Sequence, residues 1–251
     1  MLNIVNPNEL QRQAELALLL EATIPKRQCT SRYVDVGPKQ RFEDFAISAI
    51  NCGRYFFELG ERINRECGQP AQFYDLAYQA LVGSSRQRSG KIVSHGLLEV
   101  LFPVVVSQCT RASDPYAALD SVPEVLKSTS ENDVKSVAAM RKLVYSASDK
   151  QFKREFPFHE EGKNVFDHYS HHKTVAHDAS RLFVSELCEG MPLTKLVYSH
   201  MALEIGDLQE RVNAGFDEAR SFSKLPAGAI ADFTAAALFL LIACNPDKKV
   251  F

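Results

Sequence analysis

The sequence predicts an all-α fold, a single domain over residues 1–251 with about ten helices, and three observations carry that expectation. Apolar residues recur at alternating three- and four-residue steps along much of the chain. No stretch alternates every second residue between hairpin turns, and proline, glycine and capping residues punctuate the periodic runs. With 45% hydrophobic residues in a chain of this length, one substantial core can be built.

Asn6-Pro7-Asn8-Glu9 opens the first helix, with Asn6 as N-cap, Pro7 where its missing N–H does no harm, and Glu9 at the capping-box position. Leu10, Ala14, Ala17 and Leu18 follow at helical spacing, and the helix is expected to end near Thr23, before Pro25. The second helix has the clearest stripe: Phe42, Phe45, Ala49, Cys52, Phe56, Leu59 and Ile63 share one face, and Gly68 and Pro70 stop it. A shorter helix through Phe73, Leu76, Ala77 and Ala80 precedes a loop from Gly83 to Gly90. A very apolar helix from Lys91 to about Cys109 follows.

Asp114-Pro115 opens a helix through Tyr116 and Leu119, and Ser130-Glu131-Asn132-Asp133 opens another through Val134, Val137 and Met140. Ser146 to Gly162, with Pro157 and alternating charges, reads as an exposed connection. Further helices are expected near 163–189, 192–205, 207–222 and 227–244, set apart by Gly190, Pro192, Gly206 and Pro226. The last is about as long as the shortest membrane-spanning helices. Asp232 interrupts it and Pro226 and Pro246 bracket it, so it reads as a buried central helix.

The formal net charge of −2 argues against a dedicated nucleic-acid binder, whose phosphate contacts show as a basic excess. Six dispersed cysteines without a CxxC pair, in a chain read as having no secretory leader, suit reduced thiols and a cytoplasmic protein. Cys29 stands apart because it lies in a basic loop, where a nearby cation would lower its thiol pKa.

Two loops concentrate charge. The first places Lys26, Arg27, Arg32, Asp35, Lys39 and Arg41 between two strongly helical patterns, where a rigid scaffold can aim side chains at an anion. Lys26 and Arg32 read either as phosphate grips or as solvated loop residues. Asp35, or Glu43 and Asp44 at the next helix start, read either as magnesium ligands through water or as carboxylates favouring a helix N-terminus. The second loop, Gly83 to Gly90, delivers Arg86, Gln87 and Arg88 to the helix opening at Lys91, where unpaired N–H groups and the helix dipole suit phosphate. His168 with His171 or His172 shares a helix face, and with His177-Asp178 gives a partial likeness to metal-dependent phosphohydrolases of the HD type; the other reading is a polar helix face.

The first loop also resembles a family, the triphosphoribosyl-dephospho-CoA synthases, which carry Pro-Lys-Pro-Gly-Asn-Val, then Arg-aromatic-x-Asp, then Phe-x-x-Phe-x-x-Ser-Ala. Pro25, Lys26, Arg32, Tyr33, Asp35, Phe42, Phe45, Ser48 and Ala49 fall on that order without a gap, while Arg27, Gln28, Cys29 and Thr30 replace Pro-Gly-Asn-Val. Gly90, Gly96, Leu97 and Leu98 match the family's second loop and the helix after it, with Arg86 and Gln87 in place of its Asn-Thr pair. Leu126 to Thr129 with Asp133, and Ala139-Met140-Arg141, are similar to a third segment.

This resemblance implies an all-α transferase that joins the triphosphoribosyl part of ATP to dephospho-CoA and releases adenine, making a prosthetic-group precursor. It implies a phosphate clamp of Lys26, Arg32, Arg86, Gln87, Arg88, Lys91 and Arg141, catalytic work by Asp35 and Glu43, and Mg2+ held by Asp35 and Asp133. Other readings stay open: a relative serving one-carbon carrier coenzymes of the methanopterin or methanofuran type, a non-catalytic helical nucleotide-binding subunit, or an HD-like metal phosphohydrolase. The expected partner is a nucleotide or phosphorylated small molecule, with no nucleic acid and no membrane, and a homo-oligomer or biosynthetic complex is compatible with the chain.

Overall fold

A computed structural model describes residues 4–35, 41–84, 92–111, 114–147, 160–175 and 178–245. Its elements are α1 (Pro7–Thr23), α2 (Phe42–Arg65), α3 (Tyr74–Ser84), α4 (His95–Thr110), α5 (Pro115–Asp120), α6 (Val122–Lys127), α7 (Glu131–Ala147), α8 (Val165–Val175), α9 (Asp178–Cys188), α10 (Pro192–Met201), α11 (Leu208–Phe222) and α12 (Ala227–Ala243). The fold is all-α. Among the described residues no strand forms, and one bridge joins Ser31 to Val34 across a tight turn.

The caps work as their residue types dictate. Asn6 accepts from the N–H groups of Asn8 and Glu9, Asp114 from Ala117, and Asp207 from Glu210 while the Glu210 side chain reaches back to Asp207. Glu186, buried on α9, accepts from the N–H of Thr194 at 2.8 Å and of Leu193 at 3.1 Å, capping α10 from a neighbouring helix. Burial lifts its carboxyl to about 7 despite those bonds.

α12 occupies the centre and packs against α1, α4, α10 and α11. Apolar around most of its circumference, with Asp232 and Thr234 the exceptions, it buries Ile230, Phe233, Leu238, Phe239 and Leu240 completely, each contributing about 1.5–3 kcal/mol of transfer free energy. One apolar cluster takes residues from every helix, Leu10 of α1 through Ile242 of α12. On α2 the expected stripe buries Ala49, Cys52, Phe56, Leu59 and Ile63, whereas Phe42 and Phe45 are half-buried. Among the described residues no helix is long and apolar enough to cross a membrane.

Three boundaries differ from expectation. α4 begins at His95 and not at Lys91, because Ser94 takes a left-handed conformation (φ 68°) that no continuous α-helix accommodates. α10 ends at Met201, short of the expected 205; the helix opened at Asp114 forms as expected in α5, and α6, with Pro123 in its first turn, follows it as a further helix. The span 163–189 contains two helices, α8 and α9.

Candidate active site

The start of α4 collects polar groups from most of the surrounding helices. Ser94 exchanges a 2.9 Å hydrogen bond with Ser48 of α2. One turn into α4 stands Glu99, 1% exposed, a carboxylate in an otherwise apolar run. Arg141 of α7, 2% exposed, donates to Glu99 Oε1, and the Tyr169 hydroxyl of α8 donates to the same oxygen at 2.6 Å. The Arg141 guanidinium also lies over the Tyr169 ring, 5.2 Å from its centroid. On the other side His95 places Nε2 3.4 Å from Glu99 Oε2, its side chain 17% exposed.

Pro103 explains a further bond. Four residues after Glu99, it lacks the N–H that would bond the Glu99 carbonyl within α4. The hydroxyl of Tyr74, fully buried on α3, donates to that carbonyl at 3.1 Å. A broken helical bond is thereby made good from outside the helix.

Electrostatics follow from this arrangement. Burial by itself would push the Glu99 carboxyl up, but Arg141, with His95 and the Tyr169 hydroxyl, holds it down at about 2. Burial lowers His95 below the usual imidazole range against the pull of Glu99. Burial and then Arg141 bring His168 to about 4 and His172 to about 3. All three imidazoles are therefore neutral bases at neutral pH, beside a carboxylate that stays ionised.

α12 adds a second carboxyl. Asp232, half-buried, sets Oδ2 so close to Gly96 that a Cβ there would fall 2.2 Å from it. No side chain but hydrogen fits at position 96 while Asp232 keeps this place. Burial, then Glu21 of α1 and Glu99, raise the Asp232 carboxyl well above the usual range. The two carboxyls at the first turn of α4 are thus driven apart, one ionised and one protonated.

The loop after α1 approaches the same region. Lys26 is buried: its ammonium lies 3.1 Å from Glu21 Oε1, donates to the Ile24 carbonyl at 3.1 Å, and donates to the Glu21 carbonyl. It ties down the end of α1 instead of standing free in the loop. Cys29 donates weakly to the Ala227 carbonyl at the start of α12. Burial raises its thiol to about 11 in spite of Lys26, correcting the expected lowering. Arg220 of α11 holds Gln28 and the Arg27 carbonyl. Arg32 is exposed with its guanidinium over Tyr33, 4.6 Å from the ring centroid, and Asp35, also exposed, accepts from the N–H of Phe42 at 3.1 Å. Glu43 is exposed at the start of α2.

Among the expected site residues, Arg141 joins the α4 cluster, and Lys26 pairs with Glu21, a neighbour of Asp232. Arg86, Gln87, Arg88 and Lys91 lie outside the described residues, immediately before Ile92 in the sequence. Asp133 does not suit magnesium: fully buried, it accepts from the N–H groups of Phe73 and Tyr74 on Oδ1 and from the N–H and hydroxyl of Ser130 on Oδ2. Both oxygens are spent capping α3 and α7, which leaves no lone pairs for an ion. Among the described residues no group of three or more His, Cys, Asp or Glu side chains can hold a metal. The expected histidine pair instead turns inward: His168 Nδ1 meets the Glu161 carbonyl at 3.0 Å and its Nε2 meets His172 Nε2 at 3.1 Å. His177 lies outside the described residues. A surface cleft of about 360 Å³ is lined by Glu131, Lys135, Glu160, Gly162 and Lys163, none of them in this cluster.

Sequence reasoning missed Glu99, His95, Tyr74, Tyr169 and Asp232 as site residues. A signal was present for two of them, since a lone carboxylate within a strongly apolar helix, as at Glu99 and Asp232, needs a reason to be there. A family model described as ATP:dephospho-CoA triphosphoribosyl transferase matches residues 7–199, from α1 into α10. No curated protein and no solved structure matches the chain.

Proposed function

The chain belongs to the ATP:dephospho-CoA triphosphoribosyl transferase family, and on that premise we propose that it transfers the triphosphoribosyl group of ATP to a ribose hydroxyl of dephospho-CoA or a similar nucleotide, in prosthetic-group or coenzyme biosynthesis. The bond from the ribosyl C1′ to adenine breaks with its electron pair leaving on the base, and a bond from C1′ to the acceptor oxygen forms. Between the two, C1′ carries positive charge, so a fixed negative group nearby and a base for the hydroxyl proton are what the protein must provide.

The observation that carries the reading is the Arg141–Glu99–His95 chain at the first turn of α4, within the family-matched stretch. Glu99, kept ionised by Arg141, faces His95 Nε2 at 3.4 Å and stabilises the imidazolium that forms when the ring takes the hydroxyl proton. Exposed Arg32, together with Arg86, Arg88 and Lys91 just upstream of α4 in sequence, supplies positive charge for the triphosphate. Magnesium enters as part of the substrate, bound to the triphosphate, with Asp35 offering one oxygen not used by Phe42. Lys26 acts from behind by fixing Glu21 and the loop. A substrate of this kind places the work in the cytoplasm.

Purified protein with ATP, Mg2+ and dephospho-CoA is expected to release adenine and form a product heavier by one triphosphoribosyl group. His95→Asn is expected to lower kcat by about 10²-fold or more while nucleotide affinity holds. Nucleotide binding without adenine release would favour a binding subunit or a one-carbon coenzyme branch, to which the replaced loop residues Arg27 to Thr30, Arg86 and Gln87 point. Neither binding nor release would remove the proposal.

A further inference from the structure

We infer that Asp232 is the proton donor to the departing base. The inference rests on the transferase reading and extends it to a residue on α12, beyond the family-matched stretch. Adenine is a poor leaving group as an anion and a good one once a ring nitrogen is protonated, so glycosyl transfer from ATP calls for an acid as well as a base.

Geometry places an acid there. Asp232 carries the one charged side chain type in the sequence of α12, and its carboxyl presses on Gly96, next in sequence to His95. The groups facing it are Glu21 from α1, Glu99 from α4 and Cys29 from the connection after α1. The nearby cations are committed elsewhere, Lys26 to Glu21 and Arg141 to Glu99. A carboxyl set among carboxylates and apolar walls, with Phe183 against the same glycine, holds its proton, and its high pKa accords with that. The residue is half-buried and not sealed in the core.

The balance is complete. Asp232 gives its proton to a ring nitrogen of adenine as the bond to C1′ breaks, and His95 receives the proton of the acceptor hydroxyl as the new bond forms. Proton return from His95 to Asp232 through solvent restores the site, with one hydrogen moved from hydroxyl to adenine.

Two measurements on the full chain test this. Infrared difference spectra between wild type and Asp232→Asn at neutral pH are expected to show a protonated carboxyl stretch lost in the variant. Its absence overturns the inference whether or not the protein turns over. Adenine release from ATP and dephospho-CoA is expected to fall about 10²-fold or more in kcat for Asp232→Asn, with ATP affinity within about twofold and the alkaline limb of the pH–rate profile abolished. Asp232→Glu is expected to regain part of the rate. Wild-type turnover by Asp232→Asn, or a rate loss that merely follows a loss of folded protein by circular dichroism, overturns the proton-donor role and leaves the transferase reading intact. A wild type that releases no adenine sinks that reading, and the infrared band still decides the protonation state.

Discussion

Tyr74 shows how one residue can repair another. Pro103 removes the donor for the Glu99 carbonyl, and the Tyr74 hydroxyl provides one at 3.1 Å in a fully buried place. Tyr74→Phe leaves that carbonyl unsatisfied and is expected to cost about 1–2 kcal/mol. In a Pro103→Ala background the restored N–H reaches the carbonyl from within α4, so the same change costs less, with a coupling of about 0.5–1 kcal/mol. Urea denaturation of the four proteins measures it, and additive costs would show that the two residues do not share the carbonyl. The charges at this scale were only partly legible. Arg141 came from the family resemblance, but its partner Glu99 lies 42 residues away on another helix, a pairing that local pattern cannot reveal. Asp232 stood out as an interruption in an apolar run, which said that it was unusual and not that it met Gly96.

At the scale of elements, Asp133 joins two helix starts. Its oxygens accept the N–H groups of Phe73 and Tyr74 entering α3 and of Ser130 entering α7. Asp133→Ala is expected to destabilise by about 2 kcal/mol or more, since buried N–H groups lose their acceptor. Removing divalent metal with a chelator is expected to leave the melting temperature of the wild type unchanged; a fall matching the Asp133→Ala loss would reinstate Asp133 as a ligand. Helix starts marked by local chemistry were legible, as at Asn6, Asp114 and Asp207, because a cap bonds its own chain two or three residues on. The start of α4 was not. Ile92 and Val93 continue the apolar pattern, while the left-handed turn at Ser94 is held by a hydroxyl of α2, 46 residues earlier in the sequence. α5 was legible from Asp114-Pro115, whereas α6 went unassigned although Pro123 stands in its first turn.

On the scale of the whole molecule, α12 is the common neighbour of α1, α4, α10 and α11, and the apolar cluster includes every helix. We propose accordingly the single domain that the sequence suggested. Scanning calorimetry is expected to give one transition whose calorimetric and van't Hoff enthalpies agree, and two resolved transitions would divide the chain. The all-α class was legible throughout because helical periodicity is local. The convergence of α1, α2, α4, α7, α8 and α12 on one place was not, because only packing decides which polar faces meet. One of those meetings has a long reach. The Tyr74 hydroxyl grips main chain at position 99, so α3 and α4 stay tethered whatever side chain stands there. Exchanging Glu99 for a neutral residue strands the buried guanidinium of Arg141, at a cost of about 3–5 kcal/mol, yet leaves that link between the two helices in place, so the charge at this position and the seam it sits in are separable by mutation.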